Sequence, residues 1–362
     1  MTEPDFLALP DLASRALAGS VVYADDEFFA EKENLILPAE PMFDPALFGL
    51  KGKVYDGWET RRRRTPGEDA AIVRLGVPGV VRGVVVDTAF FRGNFPPQIG
   101  VDGAWIDGYP DAPELAGAHW RPLVPTSAAL GDTRNLYAVA DSVPVTHVRL
   151  RMIPDGGVAR LRVHGEPTPD PTFLRGTVDL AAAENGGRVV DCSDLFYSSP
   201  ANIIAPGRSR IMGEGWENAR RREGGNDHVT VALAGQGTID HVEIDTSYYI
   251  GNAPGSASLR GIARAEDLEQ PDRWVDLVPP TPLQPDCRHR FLVGSGSGSG
   301  SGSGPGAGPG AAAADPVRFV RIDVFPDGGI ARLRVHGQLS PEALDQLAAR
   351  IAPARHTGLM RS

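Results

Sequence analysis

Residues 154–165 read PDGGVARLRVHG and residues 326–337 read PDGGIARLRVHG, eleven of twelve positions identical at a separation of 172 residues. Within each copy the Ala-Arg-Leu-Arg-Val run alternates apolar and polar side chains. That is the period of a strand with one face buried and the other wetted, and the preceding Pro-Asp-Gly-Gly is turn chemistry. A near-identical strand and turn occurring twice marks a duplicated unit rather than a short solenoid repeat.

Working outward from this stretch, VVYADDEFFAEKENLILP at 21–38 answers to VVDCSDLFYSSPANIIAP at 189–206, and VVVDTAFFRGN at 84–94 to VEIDTSYYIGN at 242–252. Trp58 and Trp216 are 158 residues apart, as are Asp87 and Asp245. Short runs rich in valine and isoleucine, broken by Gly, Pro, Asn and Asp, predict a mainly β body of two tandem units, at 20–168 and 172–338. The wider separation at 336 comes from the Gly/Ser-rich run 294–315, read as a disordered loop extension inside the second unit. Segment 1–19 predicts a short helix, with Asp11 as N-cap and Gly19 as its left-handed stop. Segment 339–362 predicts another, with Ser340 as N-cap and Pro341 at its first position.

With 36 basic against 46 acidic residues and a net charge of −10, the chain has no global positive field for nucleic acid. No apolar run approaches the roughly 18 residues of a membrane span, and the first residues lack a signal-peptide pattern. Two isolated cysteines, Cys192 and Cys287, fit a reducing compartment, so the expectation is a soluble cytoplasmic protein. No HExxH, HxH or cysteine cluster occurs among the eight histidines, and neither a metal nor a cofactor is expected.

Chemistry concentrates in DGWETRRRR at 56–64 and its counterpart EGWENARRR at 214–222. Strand alternation would put Arg61 and Arg63 on one face and Arg62 and Arg64 on the other, so that only one pair faces a pocket. Arg62, Arg63 and Arg64 align with Arg220, Arg221 and Arg222, whereas Thr60 and Arg61 align with Asn218 and Ala219. Shared residues read as scaffold, and residues peculiar to one copy as candidates for a single site. Glu59 and Glu217 follow tryptophans, whose apolar rings can raise a carboxyl pKa by desolvation. Asp87, with Asn94 seven residues on, either fixes a turn or bonds amide groups. His164 ends its strand as a structural residue or a proton carrier.

FFAEKENLI, DGWETRRRRTPG, RLGVPGVVRGVVVDT, FFRGNFPP and the doubled PDGG-ARLRVHG together resemble the allantoicase (allantoate amidinohydrolase) family over about 20–337. The resemblance implies an all-β fold of two tandem jelly-roll β-sandwich repeats, similar to galactose-binding domains, with short terminal helices. It implies hydrolysis of allantoate to ureidoglycolate and urea in purine breakdown, by a homo-oligomer. For such a substrate, Glu59 and His164 are the candidate catalytic groups, with Trp58, Thr60, Arg61, Arg63, Asp87, Asn94, Glu217 and Arg221 candidates for binding. An arginine fork suits the substrate carboxylate, and the amides suit its ureido groups. The alternative is a small-ligand or carbohydrate-binding sandwich without catalysis.

Overall fold

A computed structural model describes residues 4–50, 52–293 and 315–359. The Gly/Ser-rich run at 294–315 lies, but for Asp315, outside the described residues. The chain divides into two compact units, Met1–Asp170 with Leu347–Ser362, and Pro171–Gln346.

In the first unit the strands are β1 (Ser20–Ala24), β2 (Asp69–Asp87), β3 (Gln98–Ala104), β4 (Arg121–Ala128), β5 (Arg134–Ala138), β6 (Val145–Ile153) and β7 (Arg160–Pro167). At 19 residues β2 is too long for one sheet. Asp69–Arg74 pairs with β1 and β6; past a register break, Gly79–Asp87 pairs with β7, and its last residues also with β5. Gly76 lies in the break and Gly79 ends it; a Cβ there would stand 2.0 Å from the Leu17 carbonyl oxygen and 2.4 Å from that of Glu166, respectively. The long strand thus serves both layers of an antiparallel sandwich, β1-β2-β6-β3-β4 and β7-β2-β5. Ile99, Val101, Leu150 and Met152 share one apolar core with Val84, Val86, Leu161 and Val163.

The second unit repeats the plan with β8 (Arg188–Cys192), β9 (Asp227–Asp245), β10 (Ser256–Ile262), β11 (Val275–Pro282), β12 (Arg288–Leu292), β13 (Val317–Phe325) and β14 (Arg332–Leu339). Here β9 is the 19-residue strand, paired first with β8 and β13 and then with β14 and β12. A two-residue strand at Val178–Asp179 adds to the edge of β14.

Three expectations need correction. Among the described residues before β1 no α-helix forms: there are two 3₁₀ turns, Asp5–Ala8 and Arg15–Leu17, and Ala18 rather than Gly19 takes the left-handed conformation. Asp11 is not a helix cap, because its carboxylate accepts hydrogen bonds from the Ala13 and Val163 amides and ties the segment to β7. Nor is the arginine face of β7 wetted. Arg160 is 1 % exposed and donates to Asp56 Oδ2 and to three main-chain carbonyls, and Arg162 donates to the Leu37 and Pro38 carbonyls. The loop that follows β1 covers that face, and the charge is compensated in place.

α1 (Ala112–Gly117) was not anticipated, although Asp111 and Glu114 form a reciprocal capping box. α2 (Pro341–Leu359) starts at Pro341, with Ser340 Oγ accepting from the Ala343 amide. Its later residues Ile351 and Ala354 pack on Trp105.

One buried group makes the first unit sensitive to acid. His147 on β6 is fully buried; its Nδ1 lies 2.8 Å from Thr146 Oγ1 and its Nε2 has no hydrogen-bond partner. Burial, reinforced by the positive charge of Arg74, pushes its pKa from 6.5 down to about 4. Between those values the unfolded chain binds a proton that the folded chain refuses. Stability is therefore full above pH 6.5 and falls as pH drops towards 4, by about 3 kcal/mol at 1.36 kcal/mol per pKa unit. Urea unfolding of wild type and His147→Gln at pH 7.5 and 4.5 measures this. The wild type should lose more stability between the two pH values than the variant, and equal losses would contradict the assignment.

Candidate functional site

The PDGG turn before β7 and its counterpart before β14 each line a cleft, of about 610 Å³ in the first unit and about 370 Å³ in the second. In the first unit, Trp58–Glu59 makes a short strand against Gly157–Val158, and Glu59 also bridges Ala30. Trp58 is wholly buried and its Nε1 donates to the Asp26 carbonyl at 2.8 Å. Asn34 Nδ2 donates to the Gly57 carbonyl at 3.0 Å. A Cβ at Gly57 would stand 2.7 Å from the Val158 carbonyl oxygen, so glycine before this tryptophan follows from close strand approach. Gly156, at φ +152°, turns the chain beneath the cleft.

This scaffold presents Glu59 to the cleft beside Asn94, whose Nδ2 donates to Glu59 Oε1 at 2.6 Å. Phe29, Phe95 and Pro97 supply an apolar wall. Burial pushes the Glu59 carboxyl above its ordinary range, and the Asn94 hydrogen bond offsets this only in part. Thr60 also lines the cleft, its amide donating to the Gly156 carbonyl at 3.0 Å.

The arginines distribute differently from strand alternation. Only Trp58 and Glu59 are in a strand, so Arg61–Arg64 follow an irregular path and neighbouring residues, Arg62 and Arg63, line the same cleft. Arg63's guanidinium is committed to Asp69 at 2.5 Å and to the Glu68 carbonyl, and its amide donates to Asp155 Oδ2. Arg61 lies outside the lining, paired with Asp26 at 2.7 Å and set over the Phe28 ring. Arg62 is exposed, lines the cleft and has no ion pair among the described residues. It is the lining guanidinium free to meet an anion, and it is not among the binding candidates drawn from sequence. Its counterpart Arg220 lines the second cleft, so the signal available was the match between copies, taken instead as scaffold.

Four other candidates lie elsewhere. Trp58 belongs to the core. Asp87 is buried and its Oδ1 accepts from the Ala89 amide, fixing the turn that follows β2. His164, four residues into β7, has Nδ1 2.8 Å from the Leu9 carbonyl oxygen and packs near Phe6. In the second unit Arg221 is held by Asp227 and is not a lining residue, whereas Glu217 lines the second cleft. Glu59 and Asn94 meet in the first cleft, and Glu217 and Asn252 in the second. Among the described residues no three or more His, Cys, Asp or Glu side chains are grouped to hold a metal ion.

A family model described as an allantoicase repeat matches residues 10–168 and again 178–340. A curated relative from Nocardia farcinica (strain IFM 10152), named a probable allantoicase, is 54% identical over 337 residues, covering 92% of this chain and 95% of its own. One from Pseudomonas aeruginosa (strain UCBPP-PA14), named likewise, is 40% identical over 335 residues, covering 90% and 95%. Among solved structures, an allantoicase from Saccharomyces cerevisiae is 30% identical with a TM-score of 0.72, covering 91% of this chain and 92% of that one. The doubled strand and turn that define the two sandwiches are thus two copies of one family's repeat, and the chain belongs to the allantoicase family.

Proposed function

We infer that the chain is a hydrolase that converts allantoate and water into ureidoglycolate and urea, and we propose the Glu59 cleft as the place where it does so. Family membership supports the reaction. The observation that supports the site is a carboxyl group held above its ordinary pKa in the same cleft as a guanidinium without an ion pair among the described residues, Glu59 with Arg62. Arg62 meets the substrate carboxylate, and Asn94 and the Thr60 hydroxyl meet the ureido groups. Protonated Glu59 gives its proton to one ureido nitrogen as the C–N bond breaks. The lone pair of the other ureido nitrogen forms the C=N bond that replaces it, and urea leaves. Water then adds to that carbon and returns a proton to Glu59, so the carboxyl ends as it began.

The same reading carries a cytoplasmic setting, supported by free Cys192 and Cys287. It also carries assembly as a homo-oligomer, supported by exposed apolar side chains such as Leu195, Phe196 and Ile250. No helix among the described residues is long and apolar enough to cross a membrane. Urea release from allantoate by the purified protein tests the function. Release is expected, and its absence from a folded sample would overturn the reading in favour of binding without catalysis.

A further inference from the structure

The second cleft keeps the recognition groups of the first and loses its apolar wall. Asn252 Nδ2 donates to Glu217 Oε1 at 2.5 Å, as Asn94 does to Glu59. Arg220 lines the cleft without an ion pair among the described residues. The support is copied too: Trp216 Nε1 donates to the Asp194 carbonyl, Asn202 to the Gly215 carbonyl, and the Arg221 amide to Asp327. Where the first cleft has Phe29, Phe95 and Pro97, the second has Tyr197, Ala253 and Gly255. The apolar lining is reduced to a phenol, a methyl group and a bare backbone.

Asn218, in the place of Thr60, adds an independent sign of a ligand. It is 5 % exposed and lines the cleft; its Oδ1 accepts from the Gly328 amide at 2.7 Å, while its Nδ2 is buried with no partner. A buried donor left unsatisfied costs about 1–3 kcal/mol, and an acceptor on a bound molecule would satisfy it. The free donors are therefore Arg220 and Asn218 Nδ2, with Glu217 as acceptor. That set matches a carboxylate carried on the same small molecule as an amide N–H.

We propose that the second cleft is a non-catalytic binding site for small ureido carboxylates, the class that includes the substrate and product of the first cleft. The proposal rests on the reading of the first cleft given above. Isothermal titration of Glu59→Gln protein with allantoate tests it, the expected result being two molecules per chain. Adding Arg220→Ala, or separately Asn218→Asp, which keeps the acceptor for Gly328 but puts an oxygen where the free donor was, should leave one. A single site insensitive to both changes but lost in Arg62→Ala would overturn the proposal and leave the first cleft's role intact. A single site lost in Arg220→Ala and insensitive to Arg62→Ala would uphold it and overturn the first cleft's role.

Discussion

Glu59→Gln should lower kcat for urea release at least 100-fold, in line with the roughly 10²–10⁴ that general acid–base catalysis contributes. Glutamine is close to the same shape, and its Oε1 can still accept from Asn94 Nδ2, a contact of 2.6 Å in the wild type. The change therefore removes the acidic proton and little else. Wild-type activity should fall as pH rises through the raised pKa of Glu59, because the acid is then lost. That alkaline limb should be missing from the residual rate of the variant. Stability carries a second signature. Burial disfavours the charged carboxylate in the folded state, so at neutral pH the neutral glutamine should raise Tm. A variant with kcat within about threefold of wild type would remove Glu59 from the reaction. Lower activity with a lower Tm and disturbed circular dichroism would make the glutamate a support for the fold instead.

How far such a site can be read from sequence depends on whether local pattern or tertiary pairing decides each residue. Alternation in Ala-Arg-Leu-Arg-Val placed Leu161 and Val163 in the core correctly, since burial of one strand face is a period-two property. It misjudged Arg160, because the loop that covers the opposite face is distant in the chain and supplies the carbonyls that hold the guanidinium. The Gly-Trp-Glu segment is legible in the sequence as a concentration of chemistry, and the pairing of Glu59 with Asn94, 35 residues on, only as membership of one set. The arginines misled because alternation was carried past the end of a two-residue strand. Identity between copies does not separate scaffold from lining either, because a duplicated cleft keeps its lining along with its support. Arg62 and Arg220 line their clefts without an ion pair among the described residues, whereas Arg63, which also lines the first cleft, and Arg221 are tied to Asp69 and Asp227.

That division gives the other large expected effect. Arg62→Ala should reduce kcat/KM for allantoate about tenfold or more, chiefly through KM, whereas Arg61→Ala should stay within about threefold of wild type. A charge-assisted hydrogen bond contributes about 1.5–3 kcal/mol, or roughly 10- to 150-fold. Arg62 is exposed, and solvent screening puts it at the low end of that range. Because the bond to the carboxylate forms in ground state and transition state alike, its loss weakens binding more than it slows turnover. Arg61 is already engaged with Asp26 on an exposed surface, with 65% of its side chain accessible, and such pairs contribute little. Arg62→Lys separates charge from geometry. A lysine that restores most of the affinity would show that the cleft needs only a positive charge, and one that restores little would show that the planar fork itself reads the carboxylate. If Arg61→Ala proved the more damaging change, the substrate would have to lie over the Phe28 and Asp26 side of the Gly-Trp-Glu segment. The Glu59–Asn94 cleft would then not be where the carboxylate is held.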